Sequence, residues 1–148
     1  MCAKARISAC FMAFLLTLML AALMPAARLG ADDAALMASE GPLTQADLDA
    51  YVYMLPKMAG QAGQDPQAAA LLFKEAGLTR RRAAYIVAKI TVTQALASGL
   101  VSTGQLHDDQ VPAYLQPSTA ELTLVNDNLA SLVKAQEAAR QAAASRGR

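Results

Sequence analysis

The chain has little of what most enzymes rely on. Among its 148 residues there is no tryptophan, one histidine and two cysteines, and aromatic residues make up only 5%. Both cysteines, Cys2 and Cys10, fall within the first ten residues. A single histidine, His107, argues against a catalytic zinc site, which usually takes three protein ligands and often two imidazoles. There is no Walker loop, no G-x-G-x-x-G and no nucleophile elbow of the G-x-S-x-G kind. A formal net charge of +1 gives no basic surplus of the sort that nucleic acid calls for.

The most informative feature present is the first 27 residues. Lys4 and Arg6 make a short positive start, Phe11 to Met24 is an apolar run of 14 residues with Thr17 its only mildly polar member, and Pro25-Ala26-Ala27 follows. Positive, apolar, then small residues is the order of a secretory signal peptide, and the run is shorter than the roughly 20 residues needed to span a bilayer. Export is therefore expected, with cleavage after Ala26, Ala27 or Ala31, and a periplasmic or secreted location. The rival is an anchor retained through the uncharged stretch Ile7–Ala27, which would be the chain's only membrane contact.

Cleavage after Ala31 removes both cysteines together with Lys4, Arg6 and Arg28, which leaves 10 basic and 12 acidic residues and a net charge of −2. A secreted domain without cysteine has no disulfides, thiol chemistry or thiolate ligands, and must be held by its core alone. About 117 residues suffice for one such domain.

Residues 32–43 show little periodicity, end in Gly41-Pro42 before Leu43, and are expected to be a flexible leader. A single helical domain is expected over 44–142. Thr44 reads as an N-cap with Asp47 at the third position, and Leu48, Tyr51, Val52, Leu55 and Met58 follow at helical spacing. Pro56 should end this helix near Met54 or kink it. Asp65-Pro66 restarts a helix that carries to Gly77, and Thr79 caps a third, running to Gly99. Within it Tyr85–Thr93 (YIVAKITVT) alternates as a strand would, but its flanks and length favour helix. Leu100–Gln116 reads as a long connection. Ser118 and Glu121 form a capping box ahead of a stripe of Leu122, Val125, Leu129, Leu132, Val133 and Gln136, fading near Ala142 into a frayed basic tail, 143–148. The expected fold is all-α, a small irregular or orthogonal bundle of four to five helices.

The third helix stands out. From Ala83 to Leu106 its only charge is Lys89, which marks it as the most buried helix. A buried lysine needs a partner or a path to water. Arg82, Tyr85 and Lys89 share a face, with Arg81 beside them, and Arg80, Arg81 and Arg82 sit at a helix N-terminus, where the dipole disfavours cations. Such a face meets something negative. The simpler expectation is the protein's own carboxylates, among Asp47, Asp49, Glu75 and Glu121; the sharper one is a small anionic ligand or a partner at Arg81, Arg82, Tyr85 and Lys89.

His107-Asp108-Asp109 is the one metal-capable cluster and reads as a solvated loop, so no metal or other cofactor is expected. Tyr51 and Tyr53 flank Val52 and point in different directions, so one of them should be exposed. Leu43-Thr44-Gln45-Ala46-Asp47 and Leu122-Thr123-Leu124-Val125-Asn126 each lack the final glutamine of the L-T-x-x-Q motif of small exported helical stress-response chaperones, so no family is claimed. The expected function is that of an exported, cofactor-free helical protein that binds another envelope or secreted protein, with an anion binder second and a hydrolase of unrecognised type third.

Overall fold

The computed structural model describes residues 31–60, 65–97, 99 and 111–146. All but the last residue of the expected export segment 1–31, and His107-Asp108-Asp109, lie outside these. The described residues form six α-helices and one 3-10 turn, with no strand among them. In chain order they are α1 (Ala31–Ala38), α2 (Gln45–Ala59), α3 (Pro66–Glu75), α4 (Arg80–Ala97), the 3-10 turn Ala113–Leu115, α5 (Thr119–Asp127) and α6 (Leu129–Arg146). No helix among the described residues is long and apolar enough to cross a membrane.

Local chemistry sets most of these boundaries. Thr44 caps α2: its hydroxyl accepts from the Asp47 N–H at 3.3 Å, and the Asp47 carboxylate accepts the Thr44 N–H at 2.8 Å. Ser118 and Glu121 repeat the arrangement at α5. Asp65 caps α3 through the Gln67 N–H at 2.9 Å, with Pro66 at the first helical position, where its missing N–H costs nothing. At the far end Gly77 adopts φ 70°, and Leu78 N–H reaches Phe73 O at 2.8 Å while Gly77 N–H reaches Lys74 O at 3.0 Å. This six-to-one plus five-to-two pattern needs a left-handed residue, which glycine supplies without strain.

Four expectations about helix limits are corrected. Pro56 does not stop α2 near Met54; the helix continues to Ala59, because burial of Leu55, Met58 and Ala59 outweighs one lost backbone hydrogen bond. Residues 32–43 are not a loose leader: 31–38 are helical, Met37 and Leu43 are buried, and Glu40 is paired. The last helix is two helices, since Asn128 ends α5. Its side-chain amide donates to Leu124 O at 2.9 Å, a competitor to the regular helical ladder. These last two differences raise the number of helices to six. The tail is shorter than expected too, as α6 runs to Arg146 and packs Ala142 and Ala143 on the core.

The region Tyr85–Thr93 is helical, and α4 is the central element. No residue from Arg82 to Ala97 is exposed. It touches α1, α2, α3, the 3-10 turn and α5, while α6 lies chiefly along α2. Ala83, Ile86 and Ile90 of α4 are fully buried with Leu48, Met54, Val125 and Leu132. Val133 is not part of that core, being 51% exposed, and Ala135 and Ala139 take its expected place.

Candidate functional site: a charged clasp on the first half of α4

Thr79 starts α4 by accepting the Arg82 N–H at 3.1 Å, so the three arginines occupy its first turn. Arg82 folds inward. Its Nε donates to Asp47 Oδ1 at 3.2 Å and its Nη2 to Asp47 Oδ2 at 2.7 Å, a two-pronged pairing that matches the guanidinium fork to the carboxylate. The remaining prongs hold the segment before α2. Nη1 reaches Gly41 O at 3.0 Å and Glu40 Oε2 at 3.4 Å, and Nη2 reaches Pro42 O at 3.1 Å. Arg81, about half exposed, donates to Glu40 Oε1 at 2.8 Å. The carboxylates neutralise the cations that the helix dipole disfavours there.

Two turns further on, Lys89 binds the other side of the same assembly. Its Nζ donates to Tyr114 O at 2.9 Å and Gln116 O at 2.8 Å, and lies 3.5 Å from Glu121 Oε2. Both side chains of this ion pair are almost wholly buried, at 6% and 4% exposure. Glu121 closes the circuit: Oε2 accepts the Ser118 N–H at 2.8 Å and Oε1 accepts the Leu43 N–H at 2.9 Å. Residues 40–43 thus form a strap, held at one end by Arg81 and Arg82 and at the other by Glu121. The Tyr85 ring lies between the two cations, 5.2 Å from the Arg82 guanidinium carbon and 6.0 Å from Lys89 Nζ.

Burial pushes the carboxyls of Asp47 and Glu121 up, but their partners outweigh it. Arg82 and Thr44 hold Asp47 below its ordinary value, while the N–H groups of Leu43 and Ser118, with Lys89, hold Glu121 below its own. Burial, and then the Glu121 carboxylate, push the Tyr85 phenol up.

Of the four residues singled out from the sequence, Arg82, Tyr85 and Lys89 do share a buried face, and Arg81 lies at its rim. Their partners include two of the four suggested carboxylates, Asp47 and Glu121. The others are engaged elsewhere: Asp49 accepts from Gln45 and Glu75 from the Tyr53 hydroxyl. Sequence reasoning missed Glu40 and the strap carbonyls, since nothing local ties residue 40 to residue 82. It also missed the amide pair in the second half of α4. Gln136 Nε2 donates to Gln94 Oε1 at 2.6 Å and to the Tyr51 hydroxyl at 3.3 Å, and Gln94 Nε2 donates back to Gln136 Oε1 at 3.2 Å.

Tyr51 is buried, and burial raises its phenol pKa, a shift partly offset by Gln136. Tyr53 is the exposed member of that pair of tyrosines, at 41%, and lines a shallow depression with Asp49, Val52, Asn128 and Ser131, floored by Leu48. Among the described residues no group of three metal-capable side chains comes together. The described part of the molecule is a small all-helical bundle with an internally neutralised cationic face. No protein family, curated protein or solved structure matches the chain.

Proposed function

We propose that this is an exported, cofactor-free helical protein whose folded part, an irregular bundle, binds another protein or a peptide in the cell envelope. The observation that carries export is the order Lys4 and Arg6, Phe11–Met24, Pro25-Ala26-Ala27. Support for a macromolecular partner comes from the clasp. Arg82 and Lys89 are directed at internal acceptors, so a small free anion would have to displace Asp47 or Glu121 from well-formed contacts. The open surface instead offers Tyr53 in its depression, and tyrosine is enriched where proteins meet. The test has two arms. N-terminal sequencing of the protein recovered from an envelope or periplasmic fraction should begin after Ala26, Ala27 or Ala31; recovery of an intact N-terminus from the cytoplasm overturns export. The mature protein, used to capture partners from that fraction, should retain a protein or peptide through salt washing; a monomer that retains none overturns the binding reading.

A further inference from the structure

The strap over α4 has the chemistry of a bound peptide. Of the groups that fasten it, three belong to the main chain: the carbonyls of Gly41 and Pro42, taken by Arg82, and the N–H of Leu43, taken by Glu121. Only two side chains add to this. The Glu40 carboxylate lies between Arg81 and Arg82, and Leu43 is buried in the core at 6% exposure. Main-chain hydrogen bonds can be made by any extended segment, while the pockets for alternate side chains confer selectivity.

The seat is also permissive where the strap has glycine. Gly41 has an ordinary negative φ, and a Cβ placed there would meet nothing within 4 Å. Gly41 and Pro42 both face solvent. Arg82 also pairs with Asp47, and Glu121 with Ser118 and Lys89, so these two receiving groups have contacts outside the strap. The elements beneath are joined by α2–α6, α2–α4 and α4–α5 packing that does not run through residues 40–43.

We infer that residues 40–43 occupy, in cis, a docking site for an extended acidic segment of a partner protein, of the form acid–x–x–aliphatic, which binds by displacing the strap. The site consists of Arg81, Arg82 and Glu121 with the apolar seat of Leu43. This rests on the reading that the protein binds a protein or peptide, and it adds a second surface, distinct from the Tyr53 depression, and what regulates it. The strap acts as an autoinhibitory contact, because the apparent affinity of any rival falls with the fraction of molecules whose site is open.

The probe is a fluorescein-labelled peptide of residues 37–44, followed by anisotropy against the full mature chain. Weakening the cis strap in the Glu40→Ala/Leu43→Ala chain, with helicity checked by circular dichroism, should tighten peptide binding by about tenfold or more relative to wild type. A peptide with Glu40 replaced by glutamine should bind more weakly, and adding Arg82→Ala to the weakened chain should abolish binding. Failure of the peptide to bind the folded, weakened chain overturns the proposal, as does a dimer that exchanges straps between copies and resists competing peptide. Should the double variant not fold, hydrogen exchange on the wild type decides. The amides of Ser39, Glu40 and Leu43 must open as a unit with little dependence on urea, and exchange only through global unfolding overturns the proposal. Partner capture from the envelope does not depend on this peptide, so either reading can fail without the other.

Discussion

The two halves of α4 bury polar groups by different means. The first half places Arg82 and Lys89 against Asp47, Glu40 and Glu121, so its contacts carry charge. The second half uses Thr93, whose hydroxyl donates to Lys89 O at 2.6 Å, and Gln94, whose amide pairs with Gln136. Among the described residues neither half leaves a buried side-chain nitrogen or oxygen without a partner. The charged half reaches far along the chain, to residues 40–47 and 114–121, and fastens the segments that lead into α2 and α5. The neutral half links α4 to α6, two regular helices that each pack on α2. Charge is used where main-chain segments must be held, and amides where side chains need only be satisfied.

The sharpest way to break this contrast is to remove one charged partner. Glu121→Ala leaves the buried Lys89 ammonium without its carboxylate and deprives the N–H groups of Leu43 and Ser118 of acceptors. A loss of about 3–5 kcal/mol is expected, read from urea unfolding. A loss below about 1 kcal/mol would place the pair among those that contribute little.

Acid should separate the halves next. Asp47 and Glu121 are both held below their ordinary values of 3.8 and 4.5. The unfolded chain therefore takes up protons first as pH falls, so the stability these carboxylates contribute is full above those values and is lost through and below them. Stability read from urea unfolding should therefore be full near pH 6 and fall as the pH is lowered through the ordinary carboxylate values and below them. Asp47→Asn and Glu121→Gln should each flatten this dependence, whereas Gln94→Leu should leave its slope unchanged.

In the neutral half, Gln94→Leu alone should cost about 1–3 kcal/mol, because Gln136 loses a buried partner. The double variant with Gln136→Leu should cost less than the two single changes added together, and a thermodynamic cycle should give a coupling of about 0.5–3 kcal/mol. Strict additivity would mean that the pair is not a unit. Smaller still, Thr44→Ala should cost about 1 kcal/mol through loss of the α2 cap. At the bottom of the scale, the exposed pair Glu137–Arg140 should be silent, with Glu137→Gln leaving the urea midpoint where it was.

What could be read from the sequence was local. Thr44 with Asp47, Ser118 with Glu121, Asp65-Pro66 and Gly77 set helix ends within a few residues, and each behaves as its spacing predicts. The isolation of Lys89 in an otherwise uncharged stretch marked α4 as the central helix and Lys89 as a residue in need of a partner. Hidden from view were contacts between distant residues. Glu40 pairs across 42 positions, Gln94 with Gln136 across the same distance, and Gln45 with Asn128 across 83. Asn128 breaks the last helix through a side chain that also meets Gln45, so the break depends on tertiary contact as well as local competition. Pro56 went the other way: its local preference to stop a helix yields to the burial of the residues that follow.

The cations of α4 and the carboxylates that pair with them hold residues 40–43 on the core. Hydrogen exchange at the Leu43 amide tests it most directly, since that N–H is given to Glu121. In the wild-type protein it should be protected, and in Arg82→Ala it should approach the rate of a free chain while the Ile86 and Leu132 amides keep their protection. A Leu43 amide that exchanges freely in the wild type, or that stays fully protected without Arg82, would mean that Arg82 does not hold the strap on the core.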